Sequence, residues 1–285
     1  MNENLSEQWE NEGYVVLRGL FDPQRSANLR TICDAILEQW RVNSPEKGAP
    51  GGGPDATVMR HLNHPGYFTE GRTGLNEVME AVADPQVLDI ARTILGDEPL
   101  FRCTSFFFNP LADGRDGNWH RDSQFSAAND EEEKATIAKL IRSGTSIQMQ
   151  IPLVPSADIE YIPGSHIRWD TPEEYAIRRA DGGKNNRANT MPGALRLALE
   201  PGDAALFNPY GIHRGRYHTT PLRRTLMLTY TKRSVPHSDY FSNQPWFLEP
   251  GYLDGLKPQT RAFFDSFVTQ YTPFWQEKLA EPVKV

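Results

Sequence analysis

Two stretches far apart in the chain constrain its fold more than any other feature: NWHRDSQF around residue 120, and GIHRGRYHTTPLRRTLMLTY from residue 211. The first holds His120 and Asp122; the second holds His213, 91 residues after Asp122. Residues two apart on a strand point to one side, so His120 and Asp122 are expected to face one interior, with Arg121 turned away. If all three serve one ion, the fold brings together strands distant in sequence. Two imidazoles and one carboxylate that leave coordination positions open are the ligand set of non-haem iron(II) oxygenases. H-x-D alone is a weak signal, because such tripeptides are common by chance.

The pattern along the chain suits that requirement. GYVVLRGLF (13–21) reads as a strand, and Asp22-Pro23 opens a helix. Leu29, Ile32, Cys33, Ile36, Leu37 and Trp40 then recur at helical spacing. The segment 43–55, rich in Gly and Pro, reads as a loop, and 75–82 and 85–95 as helices, the second closed by Gly96. From residue 100 the period shifts to strands at 100–108, 146–153, 195–199, 204–207 and 224–230, and His213 starts another. A charged helical insertion (130–142), a second insertion (171–192) and a last helix at 261–271 complete the outline. This implies a mainly β chain with flanking α-helices around a jelly-roll core, in one domain over 1–285. Its parts are a helical N-terminal portion (about 1–98), the core (about 99–233) and an aromatic-rich extension (about 234–285).

Arg224 lies eleven residues after His213 and shares a strand face with Leu226, Leu228 and Tyr230. Arg223 shares the other face with Thr225, Met227 and Thr229. The more apolar face is taken as interior, which turns the Arg224 guanidinium inward. A buried guanidinium needs an anion. Either a bound carboxylate or a protein carboxylate meets that need.

At these residues the chain resembles the phytanoyl-CoA dioxygenase family of 2-oxoglutarate oxygenases. The H-x-D pair, the distal histidine and the arginine match at His120, Asp122, His213 and Arg224. IEYIPGSH (159–166) matches the family's PGSH turn, and PGDAALFNPYGIHRG (201–215) the strand pair that delivers the distal histidine. With the opening strand and helix, the likeness spans roughly residues 5–235. The resemblance implies a double-stranded β-helix (cupin-like) core binding Fe(II) and 2-oxoglutarate, with O2 as the other co-substrate. It also implies Arg224 on the distal carboxylate of 2-oxoglutarate, with Ser105 and Gln148 on strands that contact it. The implied reaction is oxidation, foremost hydroxylation, of an unactivated C–H bond, with succinate and CO2 released. The chain departs from the family at Ser156-Ala157, where Asn-Gly is common, and at Gly215, where many members carry a serine that assists the co-substrate carboxylate. Asp122 stands where related halogenases carry a small residue, which argues against halogenation.

Composition narrows the partners. A net charge of −7 argues against general affinity for nucleic acid or anionic membrane. No apolar run reaches spanning length, the N-terminus resembles no signal or transit peptide, and a cytoplasmic monomer or homodimer acting on a small molecule is the expectation. The basic cluster Arg178, Arg179, Lys184 and Arg187 is weak for an acyl-CoA, which favours a small metabolite or natural-product intermediate. Cys33 and Cys103 read as buried free thiols. His218 reads as no ligand, His166 as structural and near the site, and His61 and His64 as loop residues with substrate contact as the alternative; Tyr240, Phe241, Trp246 and Phe247 read as a lid or as packing. The competing reading is a metal-binding jelly-roll isomerase or ligand-binding protein without oxygenase activity.

Overall fold

The computed structural model describes residues 2–140 and 146–280. Its helices are α1 (Asn2–Glu12), α2 (Pro23–Val42), α3 (Thr73–Val82), α4 (Pro85–Leu95), α5 (Asp130–Leu140), α6 (Pro172–Arg178), α7 (Ala180–Gly183) and α8 (Pro258–Ala280). Its strands are β1 (Tyr14–Leu17), β2 (Val58–Arg60), β3 (Pro99–Phe108), β4 (Arg115–Asp116), β5 (Ser146–Pro152), β6 (Ser156–Tyr161), β7 (Leu195–Leu199), β8 (Ala204–Phe207), β9 (His213–Tyr217) and β10 (Arg224–Lys232). The last two positions of the insertion expected at 130–142 lie outside the described residues.

Local chemistry explains the helix ends. Asp22 accepts a hydrogen bond from the Arg25 backbone N–H and Pro23 fills the first turn of α2. Asp84 and Pro85 do the same for α4, which stops at Gly96 in the left-handed region (φ 60°). Thr171 and Glu174 form a reciprocal capping box on α6.

The strands make two antiparallel sheets, β1-β8-β5-β10-β3-β2 and β4-β9-β6-β7, the double layer of a jelly roll flanked by helices. The portion before residue 99 is therefore not purely helical, since β1 and β2 supply both edges of the larger sheet. β10 sits between β5 and β3, with Met227 opposite Gln150 and Ser105, and Thr229 opposite Gln148 and Cys103. That register gives the sheet two unlike faces. Leu226, Leu228, Tyr230, Phe106, Phe108, Met149 and Ile151 join one apolar cluster with Leu29, Cys33 and Leu37 of α2 and Val87 and Ala91 of α4. Ser105, Gln148, Gln150, Thr225 and Thr229 point the other way, into the space between the sheets. Each large apolar side chain buried in the outer layer stabilises the fold by roughly 1.5–3 kcal/mol.

Phe264, Phe267, Tyr271 and Trp275 of α8 are buried and interlock with Phe101 and Phe247. Trp246 and Phe247 are thus packing, while Tyr240 is exposed. Both thiols are free and buried.

Candidate active site

His120 and His213 meet in an isolated antiparallel bridge, each N–H donating to the other's carbonyl at 3.0 and 2.9 Å. A 3-10 turn, Asp122–Phe125, follows, and the Asp122 N–H donates to Pro209 O at 2.8 Å. The continuous strand expected through 120–122 is replaced by a bridge and a turn, yet the ligands still converge. His120 Nε2 and His213 Nε2 lie 3.6 and 3.7 Å from Asp122 Oδ1. One ion with bonds of ~2.1 Å spans such separations. Among the described residues this is the one trio of ligand-type side chains so arranged.

Hydrogen bonds fix how the rings are presented. His120 Nδ1 donates to Asn118 O at 2.7 Å and His213 Nδ1 to Gly211 O at 2.9 Å. Carbonyls only accept, so each Nδ1 carries the proton and each Nε2 lone pair faces the centre. Burial holds the His213 imidazole well below the usual histidine range, and the Arg121 charge adds to this, which keeps it neutral. Burial raises the Asp122 carboxyl, opposed by the charges of Arg102 and Arg60 and by the Gln148 hydrogen bond. Gln148 Nε2 donates to Asp122 Oδ2 at 2.6 Å, leaving Oδ1 toward the histidines.

Arg121 turns away as expected and is fully buried. It donates to Asp170 Oδ1 (2.9 and 3.0 Å), Ser165 O (2.6 Å) and Tyr210 O (2.6 Å). It thereby ties the H-x-D segment to the PGSH turn and to the approach to His213. Asp170 also pairs with Arg178, Arg178 with Glu133, and Glu133 accepts from Ser123 Oγ at 3.0 Å. The network leaves the chain at residue 121 and returns at 123, bracketing Asp122. Sequence reasoning missed it; it saw Arg178 as part of a basic cluster, whereas Arg178 is buried and paired, and Arg179 is paired with Asp130.

The inward orientation expected for Arg224 needs correction. Arg224 points outward, pairs with Asp34 of α2 and donates to Arg223 O at 2.8 Å. The apolar face of β10 is covered by helices, so it is the outer one, and Arg224 goes with it. Arg223 turns inward. It is 2% exposed, with Cζ 4.5 Å from the Tyr217 ring centre and 5.1 Å from that of Phe107. Its Nη1 donates to Arg216 O at 2.7 Å, but Nε has no hydrogen-bond partner among the described residues. Asp158 Oδ2 is 3.8 Å from that Nε, in Coulomb range but beyond a hydrogen bond.

Ser105 Oγ, Thr225 Oγ1 and Gln150 Oε1 are likewise buried without partners on the inner face. A row of orphaned polar atoms beside a guanidinium fits an absent polar ligand. A side chain at Gly215 has no room: its Cβ would stand 2.7 Å from Tyr217 Oη and 3.1 Å from Arg223 Nη1. The Tyr217 hydroxyl fills the place where a serine would project.

The remaining histidines stay outside the triad. His218 contacts Asp116 at 3.1 Å, His166 Nε2 donates to Glu10 O at 3.2 Å, and His61 contacts Glu46 at 2.8 Å. His64 accepts from the Gly66 N–H at 3.1 Å. A cleft lined by His120, Gln124, Phe125, Tyr217 and Arg187 opens beside the triad.

Comparison with known proteins agrees with this architecture. The iron-bound structure of EctD from S. alaskensis aligns over 86% of this chain and 82% of its own, at 20% identity and a TM-score of 0.59. AviO1 from Streptomyces viridochromogenes Tue57 aligns over 83% and 97% at 14% identity (TM-score 0.57). The non-haem alpha-ketoglutarate-dependent epimerase SnoN from nogalamycin biosynthesis aligns over 81% and 83% at 15% identity (TM-score 0.54). These likenesses show the fold. No curated protein matches by sequence. The sequence profile described as Phytanoyl-CoA dioxygenase (PhyH) matches residues 9–226, a span that includes His120, Asp122, His213, Arg223 and Arg224. By that match, over about three quarters of its length, the chain belongs to the phytanoyl-CoA dioxygenase (PhyH) family.

Proposed function

We propose that this protein is an Fe(II)- and 2-oxoglutarate-dependent dioxygenase that oxidises, foremost by hydroxylation, an unactivated C–H bond of a small metabolite or natural-product intermediate. The observation that carries the proposal is the convergence of two Nε2 lone pairs and the Asp122 carboxylate beside an inward guanidinium with a free donor. His120, Asp122 and His213 hold the iron. Gln148 orients the Asp122 carboxylate, and Arg223, not Arg224, receives the distal carboxylate of 2-oxoglutarate, with Thr225, Ser105 and Tyr217 as further polar contacts. Iron with 2-oxoglutarate and O2 supplies the oxidising power, and succinate and CO2 are released. The chain's own residues fix geometry and keep bulk water from the inner face; no side-chain acid–base pair is required.

An inward arginine met by a protein carboxylate would favour the non-oxygenase jelly roll. Arg224 meets Asp34 on the outer face and does not bear on the point; inward Arg223 keeps its Nε donor free, with Asp158 Oδ2 at 3.8 Å beyond hydrogen-bond reach, which favours the oxygenase reading. Anaerobic titration of the iron(II) protein with 2-oxoglutarate tests the point. The visible metal-to-ligand charge-transfer band is expected in wild type and in Arg224→Ala, and is expected to be lost in Arg223→Ala at moderate 2-oxoglutarate. No band in iron-loaded wild type sinks the oxygenase reading.

A further inference from the structure

A second guanidinium faces the same chamber. Arg60 ends β2, opposite Ser105 of β3, while its neighbour Met59, opposite Phe106, belongs to the outer apolar cluster. Arg60 therefore points inward with Ser105. Its Cζ lies 5.6 Å from the Phe107 ring centre and 5.5 Å from that of Phe241. Its Nη1 is buried without a hydrogen-bond partner, and no described carboxylate lies within ion-pair range. The neighbouring cations differ: Arg102 pairs with Asp239, and His61 contacts Glu46. Its strand partner Ser105 lies on the same inner face as Gln148, which holds Asp122.

A buried guanidinium donor without an acceptor asks for an anion. The demand is local: Arg60 Nη1 is buried with no acceptor among the described residues, and the carboxylate nearest Arg223, Asp158, is not within ion-pair range of Arg60. Cation–π contact with Phe107 and Phe241 replaces only part of its lost hydration. A carboxylate offers the bidentate acceptor that a guanidinium fork suits, and the two rings offer an apolar wall beside it. We infer that Arg60 anchors a carboxylate of the primary substrate, so the substrate is a small organic acid whose carboxylate is carried on an apolar frame. The inference rests on the oxygenase reading above and deepens it.

Acetate, with acetamide as its neutral counterpart, is the probe. The anaerobic protein, saturated with iron(II) and 2-oxoglutarate, is melted across an acetate series at constant ionic strength while the charge-transfer band is monitored. The expected result is a saturable rise in melting temperature with acetate and none with acetamide, the band remaining. In Arg60→Met the acetate response disappears, 2-oxoglutarate affinity stays within about threefold of wild type, and the ligand-free protein melts no lower. An acetate response that persists in Arg60→Met overturns the assignment, as does the absence of any response in wild type. A loss of 2-oxoglutarate binding in Arg60→Met would make Arg60 a co-substrate residue and also overturn it. A fall of about 4 °C or more in the ligand-free melting temperature would make it a structural residue. Absence of the band in wild type is a failure of the oxygenase reading and is recognised as such before acetate is added.

Discussion

Successive residues of a strand point to opposite faces, so Arg223 and Arg224 cannot both serve one chamber. Arg224 is a mostly buried tie to α2: its side chain and that of Asp34 are 16% and 32% exposed, so Arg224→Ala should cost about 1–3 kcal/mol. Its effect belongs in a denaturation curve, whereas that of Arg223→Ala belongs in co-substrate binding. Gln148 is a positioning residue of a different kind. Its amide holds Asp122 Oδ2 and so leaves Oδ1 facing both imidazoles. Gln148→Leu should weaken iron(II) binding by about 10–100-fold while the fold melts near the wild-type temperature. Competition with a coloured chelator measures the first and circular dichroism the second. Unchanged iron affinity would show that Asp122 needs no such support.

Elements reach the triad through buried charge. Arg121, Asp170, Arg178 and Glu133 are buried, and they join the ligand turn to α5, to α6 and to the PGSH turn. Deleting one member strands the others in low dielectric. Arg121→Met should therefore lower unfolding free energy by about 3–5 kcal/mol and weaken iron binding as well. Arg121→Met with Asp170→Leu removes a balanced pair, leaves Arg178 with Glu133, and should recover part of the stability in urea titrations. Equal losses in single and double variants would refute the network account. Such a network was not legible in the sequence, because pairing between residues 121 and 170 leaves no periodic trace. Helix α2 was legible, since Asp22-Pro23 starts it and one apolar stripe runs along it. The alternation in β5 and β10 was legible too. What alternation cannot say is which face is the inner one: in β10 the apolar side meets helices and the polar side faces the space between the sheets, which turns Arg223 inward and Arg224 outward. β2 and β4, three and two residues long, are too short for any period to show. The triad itself was legible because ligand chemistry restricts residue type more tightly than packing does.

Across the whole molecule, an uncharged ring helps to dock the N-terminal helix on the barrel, beside the Gly164 N–H bond to Glu12 O and the buried Trp9. His166, in the PGSH turn, is 5% exposed and donates from Nε2 to Glu10 O of α1. Its Nδ1 has no partner and stands where a Cβ on Gly13 would lie 2.4 Å away. Protonation would bury a charge and a second N–H next to the Arg121 guanidinium. Burial accordingly lowers its pKa to about 4, with Arg121 pushing the same way against the Glu10 hydrogen bond. An unfolded histidine titrates near ~6.5, so between that pH and 4 the unfolded chain binds more protons than the native one. Stability contributed by neutral His166 is complete above about pH 6.5 and is lost as pH falls toward 4. Buried neutral His213 acts in the same direction, so the two must be separated. Melting curves of wild type and His166→Gln, recorded from pH 7.5 to 4 in the metal-free protein, isolate the share of His166, because glutamine keeps a donor for Glu10 O and does not titrate. The variant should be the less stable at pH 7.5, and the gap should narrow or invert by pH 4. A gap that stays constant across this range would show that the docking of α1 on the barrel does not depend on an uncharged His166.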